Sequence, residues 1–139
     1  MSQENVEVLR RVYERWNDGD FAGWKELHAP DVVVVPPEGW PEGDTSTNRD
    51  AWFDQAMRLT DSWDAQRLEV DEIRDLGDRL LTFLRWVTRG KDSGIELETP
   101  MASVTTVQDG RIVEQSYFLD ERSALKTVGL SDRRYRRRT

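Results

Sequence analysis

The sequence predicts an α+β fold in which N-terminal helices pack on a strongly bent, mostly antiparallel sheet. Three observations carry that expectation. An amphipathic stripe ends in Trp16-Asn17-Asp18-Gly19-Asp20, followed by a shorter stripe and the apolar run Val32 to Val35. Four strand-like stretches then fill most of the remaining chain, separated by Gly77-Asp78, Gly90 to Gly94 and Asp109-Gly110. Strands joined by such short turns pair antiparallel, and Asp-Gly is the strongest hairpin signal among them. Helices that precede a sheet in this way read as a lid, with a pocket between lid and sheet.

Each element has its own justification. Val6, Leu9, Val12, Tyr13 and Trp16 recur at helical spacing opposite Glu4, Glu7, Arg10, Arg11 and Glu14. This predicts a helix over 3–17, N-capped by Ser2 and stopped by Gly19. Phe21, Trp24 and Leu27 form a second, short stripe that Pro30 ends. The β-branched run Val32 to Val35 is a strand closed by Pro36-Pro37. Residues 36–47, rich in Pro and Gly, form a loop that holds Trp40. Thr47 or Asn48 caps a helix whose apolar face is Trp52, Phe53, Ala56, Met57 and Leu59, with Asp50 near the positive end of its dipole. Strands follow over 63–75, 79–90, 95–108 and 111–119. Asp120 starts a last short helix over 121–127, and Gly129 ends it.

Composition narrows the function classes. At 139 residues the chain has the length of one domain, placed at 1–130, with the Arg-rich 131–139 expected to be a disordered tail. Cysteine is absent and histidine occurs once, which removes thiolate chemistry, disulfides and His/Cys metal sites. No metal and no cofactor is expected. Five of the 20 basic residues lie in the last seven positions, leaving 15 against 27 acidic ones in residues 1–132, a net charge of −12. Such a body repels nucleic acid. No apolar run approaches a membrane span and no signal segment precedes the first helix, so no membrane partner and a cytoplasmic location are expected.

The helix ending "YERWNDGD", the segment "WKELHAPDVVVV", the helix start "NRDAW", the hairpin "VQDGRIVEQSYFLDERSAL" and the closing "VGL" occur in an order that resembles the NTF2-like superfamily, in its SnoaL-like, polyketide cyclase-like branch. The resemblance spans residues 4–130 and implies a cone-shaped fold with a pocket, commonly in a homodimer. It also implies a phase for each strand. Leu81, Phe83, Arg85 and Val87 would line the pocket, while Leu80, Leu84 and Trp86 would face outward toward the dimer interface. On 95–108 the pocket set would be Thr99, Met101, Ser103 and Thr105, and on 111–119 Val113, Gln115, Tyr117 and Leu119.

Family activities can then be tested on residues. An epoxide hydrolase of this kind needs a carboxylate–arginine–carboxylate site; Arg85 matches the arginine, but Val87 and Tyr117 stand at the carboxylate positions. A ketosteroid isomerase needs a Tyr and two Asp where Val12, Pro36 and Ser103 stand, with Tyr13 one residue out of phase. Both activities are disfavoured. A cyclase-type reaction needs a general base. Asp120 is the nearest carboxylate, although the following Glu121-Arg122-Ser123 makes it read equally as a helix cap, and His28 reads first as a structural or surface histidine.

The expectation is therefore a SnoaL-like protein that binds a small apolar molecule with an acidic or carbonyl group. Arg85 would meet that group, with Tyr117, Gln115, Phe83, Met101, Ser103, Trp40, Tyr13, Trp16 and Trp52 around it. One alternative is a cofactor-free lyase, isomerase or cyclase in which Asp120 or His28 moves a proton. Another is a dimerisation module whose cavity is filled by its own side chains.

Overall fold

A computed structural model describes residues 2–40 and 44–130. The elements are α1 (Ser2–Asn17), α2 (Phe21–Glu26), β1 (His28–Val35), α3 (Arg49–Asp61), β2 (Ala65–Asp75), β3 (Leu80–Arg89), β4 (Glu96–Gln108), β5 (Arg111–Phe118) and α4 (Glu121–Thr127). The five strands form one curved, unclosed sheet in the order β1-β5-β4-β3-β2. β2 through β5 pair antiparallel, and β1 joins β5 in parallel. The arrangement is the α+β fold expected from the sequence. The Arg-rich tail expected at 131–139 lies outside the described residues.

Local chemistry sets the boundaries. Asn48 caps α3 by accepting from the Ala51 N–H, and Asp120 caps α4 by accepting from the Ser123 N–H, both at 2.8 Å. Asp109 and Gly110 both take positive φ, 52° and 78°, as a tight β4–β5 hairpin demands. Two boundaries differ from expectation. α1 includes Ser2 itself. β1 opens at His28, so Pro30 lies inside a strand instead of ending the helix before it. β1 is an edge strand and its ladder to β5 breaks between His28 and Val33, which is where a residue without an N–H is tolerated.

The sheet has two covered faces. On the concave face Leu80, Leu84 and Trp86 of β3 and Met101 of β4 pack against Val8, Leu9, Val12, Tyr13 and Trp16 of α1 and against Trp52 and Ala56 of α3. On the convex face Leu81 and Phe83, with Ala102 and Val104, pack against Ala124 and Leu125 of α4. This inverts the phase expected for β3. Leu84 pairs with Met101, Thr82 with Ser103 and Trp86 with Thr99. Directly paired residues project to the same side of a sheet, so the even-numbered residues of β3 accompany Met101 and Ser103. Phe83 and Arg85 therefore lie on the convex face, and Trp86 is a concave-face residue unsuited to an outer interface.

The hairpin supplies a direct test of this topology. Replacing Gly110 with Val places a branched side chain at a φ that disfavours it and should cost about 1–2 kcal/mol. Urea unfolding followed by circular dichroism measures the loss; an unchanged midpoint would contradict the turn geometry.

Candidate functional site

The concave face does not fill completely. A cleft remains between the sheet, α1, α2, α3 and the loop after β1, with about 660 Å³ of empty space counted out to its open mouth. Tyr13 and Trp16 of α1, Trp24 of α2, and Trp52, Gln55, Ala56 and Leu59 of α3 form one wall. Gln66 and Leu68 of β2, Trp86, Met101 and Tyr117 form the other, and Pro36, Pro37 and Trp40 border the mouth. Among the described residues lining it, none carries a charge.

Aromatic rings dominate. Trp40 packs on Trp86 at 5.1 Å between ring centroids, and Trp63 meets Trp86 edge-on at 5.7 Å. Trp24 packs on Trp16 at 5.0 Å and on Trp52 at 5.9 Å, and Trp52 reaches Tyr117 at 6.3 Å. Such pairs hold one another in offset or tilted geometry and keep the walls apolar. The loop bearing Trp40 is tied down where Ser46 exchanges two backbone hydrogen bonds of 2.9 Å with Val34.

Several polar groups at the floor bond one another. Tyr117 donates to Gln115 Oε1 (3.1 Å), and Gln115 Nε2 donates to Thr105 (3.0 Å). The Tyr13 hydroxyl bonds Ser103 at 3.2 Å, with Thr82 and Tyr117 close by. Trp86 Nε1 donates to Gln66 (2.8 Å), which donates to Thr60 (3.0 Å), and Ser46 donates to Gln55 (2.9 Å). Burial, only partly offset by the Ser103 hydrogen bond, pushes the Tyr13 hydroxyl up to about 12. Burial and then the neighbouring Tyr13 raise Tyr117 well above the usual phenol range. Both remain neutral O–H groups at physiological pH.

The residues singled out in the sequence divide accordingly. Tyr13, Trp16, Trp40, Trp52, Met101 and Tyr117 line the cleft, and Ser103 and Gln115 lie buried beneath it. Phe83 is buried on the opposite face. Arg85 is also there, with its guanidinium on Glu98 (2.9 Å), Asp71 (3.0 Å) and Glu69 (3.0 Å). Hydrogen bonds to Glu98 and Asp71 raise its pKa further above the arginine range. An arginine held in that cluster on the convex face cannot meet a molecule in the cleft.

The proton-transfer candidates are elsewhere too. Asp120 accepts from the Ser123 backbone and side chain, and those bonds lower its pKa. That makes it a helix cap and a weak base. His28 is 1% exposed, packs on Trp24 at 4.6 Å and bonds the Trp24 carbonyl through Nδ1 at 2.8 Å. A carbonyl can only accept, so Nδ1 carries the proton. Burial, against the opposing effect of that hydrogen bond, lowers the His28 pKa to about 4. It stands behind the aromatic wall.

The sequence leaves Trp24, Trp86, Gln55 and Gln66 unmarked as lining residues. Trp52, Gln55, Ala56 and Leu59 follow the i, i+3, i+4, i+7 spacing of one helix face, so a glutamine within that stripe was the available signal. Trp86 was recoverable from the strand pairing alone.

The comparisons with known proteins agree with this architecture. The model for the SnoaL-like domain matches residues 9–115. IdmH, a candidate polyketide cyclase from Streptomyces antibioticus, is similar over 90% of this chain and 98% of its own, with 26% identity and a TM-score of 0.72. An NTF2-like protein of unknown function from Burkholderia pseudomallei covers 91% of this chain and 96% of its own at 22% identity and TM-score 0.75. TerC, crystallised with polyporic acid, covers 84% and 92% at 22% identity and TM-score 0.75. No curated protein matches by sequence.

Two predictions follow from the positions of His28 and Arg85. Since the folded-state pKa of His28 is below the unfolded value of 6.5, its neutral form is the one folding favours. That contribution is complete above pH 6.5 and is lost as the pH falls toward 4, by about 3 kcal/mol at the limit. Urea midpoints measured between pH 7 and 4 should fall steeply for the native chain and less so for His28→Asn, which keeps a donor for the Trp24 carbonyl. Arg85→Met should leave the affinity of any molecule bound in the cleft unchanged, by calorimetric titration; a tenfold loss would return the arginine to the site.

Proposed function

The chain belongs to the SnoaL-like domain family, and from that premise we propose that it binds a small, flat, neutral apolar molecule bearing a carbonyl or hydroxyl oxygen. The carrying observation is the lining itself: five tryptophans and two tyrosines around one cleft, with no charged side chain among the described lining residues. Such walls favour flat rings, which gain stacking and edge contacts in addition to burial of apolar area. The acidic ligand suggested by the sequence loses its support with Arg85 on the other face, because a carboxylate entering this cleft would shed water without gaining a cation. The likeness to TerC, which was crystallised with polyporic acid, supports a small-molecule role for a cleft of this fold; the neutrality of the ligand rests on the lining alone.

A cofactor-free cyclisation is the second reading, favoured by the likeness to IdmH. In it the cleft would hold a flexible chain in a folded pose, and the neutral Tyr13 or Tyr117 hydroxyl would donate to a developing oxyanion. No carboxylate or histidine among the described lining residues stands ready as a base, so binding is the reading we adopt.

Titration of the protein with 1-indanone, followed through the indole N–H signals of 15N-labelled tryptophan, tests it. Saturable shifts confined to the cleft tryptophans, and at least a tenfold weaker affinity for Trp86→Ala, are expected. Shifts that never saturate, or that persist unchanged in Trp86→Ala, would refute a binding cleft.

A further inference from the structure

The segment 131–139 carries Arg133, Arg134, Arg136, Arg137 and Arg138 against the single acidic residue Asp132. The residues before it fix where it starts. After α4, Gly129 takes a φ of 79° and the Leu130 N–H returns to the Leu125 carbonyl at 2.8 Å. That is the left-handed stop that turns a chain back at a helix end. Leu130 then packs against the convex-face cluster that contains Leu81 and Phe83. Arg85 stands four positions along β3 from Leu81, about 13 Å away at the rise of a strand. The nine residues of 131–139 can span up to about 30 Å.

The surface within that reach is acidic and open. Glu69, Asp71 and Glu98 surround the Arg85 guanidinium, and Glu69 and Glu96 meet Arg67 at 2.6 and 3.9 Å. Glu121 borders the same hollow as Asp71 and Arg85. Five carboxylates therefore share two guanidiniums in this patch. The Glu96 and Glu98 side chains are 54% and 52% exposed, so an incoming cation can reach them. A carboxylate offers several acceptor positions, and one guanidinium does not exhaust them.

We propose that the arginine-rich segment 131–139 folds back over the convex face and docks on the carboxylate cluster around Arg85. The occupant is this chain's own segment because Leu130 tethers it beside the patch. Such tethering gives an effective concentration in the millimolar range, which a separate partner rarely matches. Guanidiniums suit the task, since their planar forks bind carboxylates in pairs of hydrogen bonds. A single exposed ion pair contributes little; several arginines on one tether act together. This docking is independent of the binding role assigned to the cleft.

The chain has no cysteine, so Thr139→Cys gives the full chain one attachment point for a nitroxide. In the 15N-labelled protein at low salt, amides of 67–71 and 96–98 should relax at least threefold faster than those of α1 and α2. The contrast should vanish in 1 M NaCl, where the Debye length falls to about 3 Å. It should also vanish when all five arginines of the segment are replaced by serine, a change that leaves residues 2–130 intact. Equal relaxation on both faces at low salt would overturn the docking. So would a contrast that survives 1 M NaCl or the serine replacements. A mixture of nitroxide-bearing 14N chain and nitroxide-free 15N chain tests the occupant. Little convex-face relaxation is expected there; as much as within one chain would assign the site to a second copy and overturn the fold-back.

Discussion

The pairing of Leu84 with Met101 is the constraint on which the arrangement of the molecule depends. It places Trp86 and Leu84 under the helices and Arg85 and Phe83 on the opposite side. A slip of one residue would exchange the two sets, opening the apolar face to water and burying a guanidinium. β3 can meet this requirement because both of its faces are covered. α1 and α3 lie over one, and α4 lies over part of the other. Its residues 80–84 and 86–88 are all buried as a result.

Beyond the reach of α4 the convex face is covered differently. Arg85 binds Glu98, Asp71 and Glu69; Arg67 binds Glu69; Arg89 binds Asp64. Exposed ion pairs contribute little to stability one by one. Their stems do more here, since Val87, paired with Arg67 on one side and Glu98 on the other, is 1% exposed beneath them. Long charged side chains lying along apolar surface with their heads in water supply the cover a helix supplies further along.

These contrasts explain what the sequence could disclose. Strand limits were legible because turns are chemical events: Gly77, Asp109 and Gly110 adopt positive φ where β-branched runs stop. The caps at Asn48 and Asp120 were legible for the same reason. The faces of β4 were legible because Glu96 and Glu98 mark its outer side. β3 gave no such mark, for a strand buried on both faces carries no alternation to read. Its one charged interior residue, Arg85, pointed the wrong way, since a guanidinium beside apolar neighbours looks like a pocket residue until its three carboxylates are placed beside it. The burial of His28 was hidden too, because the parallel β1–β5 contact that encloses it joins segments far apart in the chain.

The electrostatics of the cleft follow from the same division. The negative charge of the body is carried on outward surfaces, and within the cleft the polar groups are neutral amides, hydroxyls and indoles. Tyr13 and Tyr117 are held in the neutral form by the burial that makes them useful as fixed dipoles. An anion approaching this site meets repulsion outside and no counter-charge inside, so both stages select against it. A neutral ring system meets neither penalty and gains contact with every wall.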